Sequence, residues 1–324
     1  MINKSSRIFL AGHRGMVGSA IYDLLKKRNY KNIITAEKKS LDLRNQSKVE
    51  KFLKYKKPDA VIIAAAKVGG IYANNIYKAN FIYDNLQIQN NLINGSFING
   101  IRDLVFLGSS CIYPKNCKQP IKERYLLSNY LEKTNDAYAI AKIAGIKLCE
   151  SYNDQFKTNY KCLLPCNAYG PNDNYDEKNS HFLPALIRKI VFAMRKNENF
   201  ITVWGNGKPK RELIYSYDIA DAVIYFLNKN TKETMINIGT NDEKSIYEYA
   251  KYVMKFLKVN LKIKFINKNL NGTMRKKLDT SLASKYGWTA KTTIKKGLSI
   301  TLSDFLQQTV LNKNNKIFNY KIDN

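Results

Sequence analysis

Residues 7–18 read Arg7-Ile8-Phe9-Leu10-Ala11-Gly12-His13-Arg14-Gly15-Met16-Val17-Gly18. The unbroken apolar run from Ile8 to Ala11 suits a strand buried on both faces. Glycines then recur at every third position, which suits a tight turn, and the pattern from Met16 onward predicts a helix over 16–28. Glycine lets the backbone turn sharply and lets a phosphate approach it, while a helix N-terminus offers that phosphate unpaired N–H groups. A glycine triplet alone says little. At the first strand-to-helix junction it marks a dinucleotide pyrophosphate site, so Gly12, His13, Arg14, Gly15, Met16, Val17 and Gly18 become candidate cofactor contacts.

Outward from this stretch the pattern repeats. Apolar strands are predicted at 32–35, 60–65, 104–107 and 160–164, with helices over 46–55, 80–95 and 137–152 between them. Strands alternating with helices at this spacing mean a parallel sheet with helices on both faces, a Rossmann-type doubly wound α/β fold. The rhythm changes after Asn167, where Tyr169-Gly170-Pro171-Asn172-Asp173-Asn174 forms a turn cluster. Residues 1–167 are therefore expected to form the dinucleotide-binding domain, and 168–312 mainly a smaller substrate-binding lobe, some segments of which return to the sheet. Residues 313–324, polar and rich in Lys and Asn, are expected to fray.

The chain has 324 residues, 44% hydrophobic and 25% charged, which suits a globular enzyme with a sizeable core and excludes a disordered or collagen-like chain. No apolar run reaches the roughly 18 residues of a membrane span, and no signal-peptide pattern precedes the first strand. No membrane partner and a cytoplasmic location are expected. A formal net charge of +28 points first to nucleic acid. Yet only ten of the 54 basic residues are Arg, the side chain that reads bases bidentately, and Lys is spread without a dense block. Lys, Asn, Ile and Tyr share A/T-rich codons, so nucleotide composition accounts for much of the charge. A small anionic substrate, not a nucleic acid, is the expected partner. Five Cys without a C-x-x-C pair and two separate His give no metal-ligand spacing, so no metal is expected and the thiols should be reduced.

Tyr138-Ala139-Ile140-Ala141-Lys142 places a phenol and an ammonium four residues apart, on one helix face. The Lys142 charge is expected to lower the Tyr138 pKa, so that the phenol exchanges a proton near neutral pH. Such pairs arise often by chance in a chain with 22 Tyr. Context gives this one meaning, because Gly108-Ser109-Ser110 ends the fourth strand, at the sheet edge where doubly wound folds bind ligands. A Ser109 hydroxyl there can hydrogen-bond a carbonyl oxygen beside Tyr138.

These segments resemble a known family when joined by others: Ala64-Ala65-Ala66-Lys67-Val68-Gly69-Gly70-Ile71, Cys111-Ile112-Tyr113-Pro114-Lys115, Ile143-Ala144-Gly145 and Asn179-Ser180-His181. Over about residues 7–288 the chain resembles the GDP-L-fucose synthases, extended short-chain dehydrogenase/reductases. The resemblance implies conversion of GDP-4-keto-6-deoxy-D-mannose to GDP-L-fucose, by epimerisation at C3 and C5 and NADPH-dependent reduction at C4. It implies Cys111 and His181 as base and acid of the epimerisation. Tyr138, assisted by Ser109 and Lys142, is implied as the proton donor of the reduction. Implied cofactor contacts are Lys38, Leu107, Gly108, Ser109, Ser110, Lys142, Pro165, Cys166, Asn167, Ala168 and His181; implied GDP-sugar contacts are Lys189, Trp204, Arg211 and Asp279. The chemistry is coherent, since C3 and C5 flank the ketone and inversion needs one group to remove a proton and another to return it. A Cys near a cationic cofactor can hold a thiolate, and His titrates near neutrality. The chain departs from the family at Ala137, where Pro is usual, at Asn167-Ala168, where Asn-Leu or Asn-Val is usual, and at Ser216-Tyr217-Asp218, where Val-Asp-Asp is usual. These departures bear on substrate choice and not on reaction class.

The alternatives are a related reductase, such as one making GDP-colitose, and a non-catalytic Rossmann protein that binds nucleotide or RNA through its charge. Intact Ser109, Tyr138 and Lys142 speak against the second. NADPH is expected over NADH: Glu37 stands where NAD-selective folds carry an acid, but Arg14, Lys38 and Lys39 oppose it. A homodimer is expected because Ala139, Ala141, Ala144 and Gly145 permit close helix approach across a two-fold axis.

Overall fold

The computed structural model describes residues 2–177, 179–266 and 273–311, so the expected tail from Lys313 lies outside the described residues. The first half runs β1 (Arg7–Ala11), α1 (Met16–Lys27), β2 (Asn32–Ile34), α2 (Gln46–Lys56), β3 (Ala60–Ile63), α3 (Ile71–Ile76), α4 (Lys78–Ile98), β4 (Asp103–Leu107), α5 (Asp136–Phe156) and β5 (Asn159–Pro165). The second half runs β6 (Asn167–Tyr169), α6 (Phe182–Arg195), β7 (Phe200–Trp204), β8 (Lys210–Tyr215), α7 (Ser216–Asn228), β9 (Met235–Ile238), β10 (Glu243–Ser245), α8 (Ile246–Phe256), β11 (Lys262–Ile266), β12 (Arg275–Lys276), α9 (Ser281–Lys285) and α10 (Ile294–Leu311).

Among the described residues a six-stranded parallel sheet has the order β2-β1-β3-β4-β5-β9. The chain passes from β1 out to β2, then crosses back to set β3 on the other side of β1. The order thus reverses between β1 and β3, and the carboxyl ends of these strands open the crevice in which such sheets bind ligands. Both are buried along nearly their whole length, as strands covered on both faces must be. α1 packs against α7, and α4 against α2 and α5. The expected Rossmann-type doubly wound fold is the one the chain adopts.

Three local expectations change. β3 stops at Ile63, because Ala64 and Ala65 turn away to lie against Gly12 at the switch point. α3 went unread, its six residues being too short to show a period. α4 and α5 both run further than expected, since Phe97 meets Tyr152 and Phe156 at their far ends with ring centroids 4.8 and 4.4 Å apart.

Beyond β5, β8 organises a second sheet. β10 lies antiparallel on one edge; β6 and β12 share the other, parallel to Leu213–Tyr215 and Lys210–Arg211 respectively. Only Cys166 separates β6 from β5, so this sheet is joined directly to the carboxyl edge of the first. β7 and β11 form a further parallel pair. Ile187, Ile190, Val253, Leu298 and Phe305 gather α6, α8 and α10 into a second apolar core. Ile219, Ile236, Leu278 and Trp288, from α7, β9 and the segment around α9, belong instead to the core of the first sheet.

The small residues of α5 are used inside the chain. Ala139 and Ala141 are fully buried, and a Cβ on Gly145 would lie 2.8 Å from the Phe106 ring and 2.9 Å from Gln89. Ala139, Ala141 and Gly145 seat α5 on α4 and β4 and so are not surface as expected, while Ala144 stays half-buried. All five cysteines are free thiols.

Candidate active site

The glycine turn has the shape its spacing predicts. Gly12 has φ +90°, and a Cβ there would lie 2.5 Å from the Ala65 backbone nitrogen. A Cβ on Gly18 would lie 1.9 Å from the Gly12 carbonyl oxygen, so α1 could not start this close to β1 with any other residue. Gly15 caps α1 without a side chain, leaving the first N–H groups of the helix free to face a ligand. A Cβ on Gly15 would meet only Gly12 O, at 3.6 Å, so its front is open. An uncapped twelve-residue helix behind an open glycine turn fits a pyrophosphate. Arg14 is ion-paired with Glu37, both exposed at the end of β2 beside Lys38 and Lys39. The sequence reading counted Arg14 against Glu37; the structure couples them.

At the end of β4, Gly108 lies against β5, its N–H donating to Leu163 O at 2.9 Å. Ser109 then caps a single 3₁₀ turn, Ser110–Ile112, its Oγ accepting the Cys111 N–H at 3.3 Å. The turn is anchored from beneath. Ile112, Tyr113 and Pro114 are buried, and Tyr113 Oη donates to Asn237 Oδ1 at 2.6 Å. Asn237 in turn donates to Ile121 O at 2.9 Å. Cys111 is thereby held at the crevice on a rigid loop while its own side chain stays half-buried.

Tyr138 and Lys142 approach this turn from α5. Lys142 is 3% exposed, donates from Nζ to Leu107 O at 2.8 Å, and lies 5.9 Å from the Tyr138 ring centroid. Burial pulls its ammonium down to about 8. Tyr138 meets Phe81 edge-on at 6.3 Å. Contrary to expectation, Tyr138 is not acidified: burial pushes its phenol up, the Cys111 thiol adds to the effect, and Lys142 is turned to the Leu107 carbonyl. A phenol so held stays protonated, the form that a proton donor to a carbonyl oxygen requires. Burial also pushes the Cys111 thiol up, opposed by Lys276, the Ser109 hydroxyl and Lys142.

The segments beyond β5 supply the remaining candidates. His181 caps the N-terminus of α6. The segment before it is fixed to the Gly69-Gly70 turn, Gly70 N–H donating to Asn179 O at 2.9 Å. Solvent reaches His181, yet the protein around it pushes the imidazole down from its ordinary value. Among the described residues it is hydrogen-bonded to neither Cys111 nor Tyr138. Lys189 donates to Thr202 O at 2.9 Å and sits 5.7 Å from the centroid of Trp204, which is 49% exposed. Arg211 on β8 is half-buried, its guanidinium pulled to about 10 by burial. Asn167 and Ala168 form β6 beside β8, and Pro165 and Cys166 end β5. Asp279 stands apart. Burial opposes its ionisation, but the Ser281 N–H at 2.9 Å and Lys122 at 3.9 Å hold its carboxyl below the usual range. It organises the start of α9. Asp218, at one of the departures from the family, likewise tethers Lys291 and Thr292 before α10.

Residues 8–239 match the model of the NAD dependent epimerase/dehydratase family. The chain belongs to this family. A GDP-L-fucose synthase of Sinorhizobium fredii is 46% identical over 306 residues, 94% of this chain and 97% of the relative. A putative GDP-L-fucose synthase of Arabidopsis thaliana is 45% identical, covering 97% and 95%. A GDP-L-colitose synthase of Yersinia pseudotuberculosis is 39% identical, covering 93% and 98%. Among solved structures of this epimerase/dehydratase type, a GDP-D-glycero-L-gluco-heptose synthase of Campylobacter jejuni, solved with NADPH, is 35% identical with TM-score 0.86, covering 94% and 99%. A GDP-L-fucose synthetase of Naegleria fowleri bound to NADP is 25% identical with TM-score 0.86, covering 95% and 96%.

One group beside these candidates escaped the sequence reading. Lys276 is one of three consecutive cations, Arg275-Lys276-Lys277, in a Lys-rich chain. Only the pairing of β12 with β8 reveals that it alone of the three stands next to Arg211.

Proposed function

We propose that the protein converts GDP-4-keto-6-deoxy-D-mannose to GDP-L-fucose, epimerising C3 and C5 and reducing C4 with NADPH. The observation that carries this reading is the meeting of Cys111 with Ser109, Tyr138 and Lys142 at one sheet edge. A base for carbon-bound protons thus adjoins a ketone-reducing pair. Identity of 45–46% with GDP-L-fucose synthases over nearly the whole chain supports the choice of sugar.

NADPH, when bound, supplies the hydride to C4. The 12–18 turn and α1 would hold its pyrophosphate, Lys38 and Lys39 its 2′-phosphate, and residues 107–110 and 165–168 would line it. Cys111, as thiolate, takes the proton from C3 or C5, and the C–H electron pair passes into an enolate with the ketone. Ser109 holds the oxygen at C4, and His181 returns a proton from the opposite face. Tyr138 then protonates the C4 oxygen, and the Lys142 ammonium stabilises the phenolate left behind. Arg211 and Lys189 would meet the GDP phosphates, with Trp204 against the nucleotide or sugar. Asp279 is left with a supporting role at the rim. Incubation with NADPH and GDP-4-keto-6-deoxy-D-mannose, followed by NMR identification of the sugar, tests the reading; a D-configured product would overturn it. Similarity to the Yersinia enzyme favours, as a second reading, a related GDP-keto-deoxy sugar, which relative kcat/KM on the two ketones decides.

A cytoplasmic homodimer belongs to the same proposal. No helix among the described residues is long and apolar enough to cross a membrane. α4 and α5 expose Tyr83 and Ile140, apolar surface suited to a second copy. Sedimentation showing only monomer at micromolar concentration would count against the dimer.

A further inference from the structure

β3 leaves the sheet at Ile63, and the chain then runs through Lys67-Val68-Gly69-Gly70 into α3. Two buried asparagines grip this turn from either end. Asn85 on α4 accepts the Lys67 N–H at 2.8 Å and donates to Lys67 O at 3.0 Å. Asn74 on α3 donates from Nδ2 to Gly69 O at 2.7 Å and to Gly70 O at 3.0 Å. Asn74 Oδ1 is buried with no hydrogen-bond partner among the described residues. An orphaned buried acceptor is a cost that an apolar side chain would avoid, so the amide is there for its donors.

The turn touches both halves of the candidate site. On one side, a Cβ on Gly69 would lie 3.1 Å from Phe81 Cζ, and the Phe81 ring meets Tyr138 edge-on at 6.3 Å. On the other, Gly70 N–H donates to Asn179 O at 2.9 Å. A Cβ on Gly70 would lie 2.5 Å from Ser180 O, the carbonyl of the peptide that joins Ser180 to His181. Gly70 has φ −68° and ψ 179°, extended backbone that any residue adopts, so only this close approach calls for glycine. His181 follows at once as the N-cap of α6. Its imidazole makes no cap hydrogen bond, so the clasp on its peptide fixes where it stands.

We propose that Asn74 and Gly70 are positioning residues of the epimerisation, holding the Ser180–His181 peptide so that the imidazole reaches the sugar carbon on the face opposite Cys111. This rests on the reading of Cys111 and His181 given above. Cys111 takes the proton and leaves the enolate. The enolate pair then forms a new C–H bond with the proton that the imidazolium releases, and the imidazole regains a proton from solvent. When His181 stands out of reach, the Cys111 thiol exchanges with solvent and returns a proton to the face it came from. The carbon then takes up deuterium without inverting.

The test uses GDP-4-keto-6-deoxy-D-mannose in D₂O, with NMR of deuterium at C3 and C5 and of the configuration of the sugar after reduction with NADPH. Gly70→Ala pushes the Ser180 carbonyl away, and Asn74→Ala frees the turn. Each should lower the ratio of inversion to deuterium entry by about ten- to a hundredfold, the scale of a misplacement of up to about 1 Å. Asn74→Ser, whose hydroxyl can bond back to the Gly70 carbonyl four residues earlier, should recover part of the ratio. A merely structural role lowers inversion and deuterium entry together and leaves their ratio as in the wild type. A wild-type ratio in Gly70→Ala and Asn74→Ala overturns the positioning role and leaves the reaction standing; either variant decides where the other does not fold. Absence of deuterium entry in the wild-type enzyme overturns the reaction, whatever the ratio in the variants.

Discussion

Cys111→Ser separates the two halves of the proposed reaction. The substitution is nearly isosteric, and the contact that shapes the turn, Cys111 N–H to Ser109 Oγ at 3.3 Å, is made by the backbone and survives. The Tyr113–Asn237 anchor lies outside the change, so the fold and NADPH binding should be kept. The loss is chemical. A serine hydroxyl is about as weak an acid as water, far weaker than a thiol at ~8.5. Burial raises the Cys111 thiol above its ordinary value and would raise a serine hydroxyl as well. The fraction of conjugate base near neutrality therefore falls by ~10⁷. A stronger base partly compensates; with a Brønsted slope of about 0.5 it regains about half of those powers of ten. Exchange of the C3 and C5 protons with solvent should slow by roughly a thousandfold. The assay is NMR of the substrate in D₂O beside NADPH absorbance. Cys111→Ser should still consume NADPH, giving an unepimerised D-configured deoxy sugar. Tyr138→Phe should do the reverse, taking up deuterium while NADPH consumption falls about a hundredfold or more. Deuterium entry at the wild-type rate in Cys111→Ser would refute the assignment and leave Cys111 a packing residue.

Other consequences follow from the same site. Lys142, with its ammonium pulled to about 8, loses its charge as pH rises through that value, so reduction should decline there. The raised Cys111 thiol ionises increasingly over the same interval, so deuterium exchange should climb; a constant ratio of the two rates across this range contradicts the division of labour. Gly12→Ala forces a Cβ to 2.5 Å from the Ala65 nitrogen at φ +90°. It should cost about 2–4 kcal/mol in denaturant unfolding, with Gly15→Ala close to wild type as the control. Glu37→Gln releases Arg14 from its exposed ion pair, which should raise the kcat/KM ratio of NADPH to NADH by roughly two- to fivefold. An unchanged ratio means that Arg14 does not face the 2′-phosphate.

The sequence by itself determined the sheet and its phosphate turn. Period and punctuation are local signals. The apolar run of β1 and the three glycines leave only one way for strand, turn and helix to meet, and Gly12 and Gly18 occupy places where any side chain would strike backbone. The run from Ser109 to Pro114 was legible for a similar reason, since a buried Tyr and Pro fix the turn that carries Cys111. Spacing could not say which charges act on which. Lys142 seemed bound to acidify Tyr138, its neighbour one helical turn away, but the carbonyl of Leu107 at the end of β4 claims its ammonium. The small residues of α5 looked like a surface until Phe106 and Gln89 filled the space in front of Gly145. Lys276 was one Lys among many until β12 paired with β8 and set it beside Arg211. Each of these outcomes depends on groups far apart in sequence, and on the field that burial creates between them, which only the packed chain brings into being.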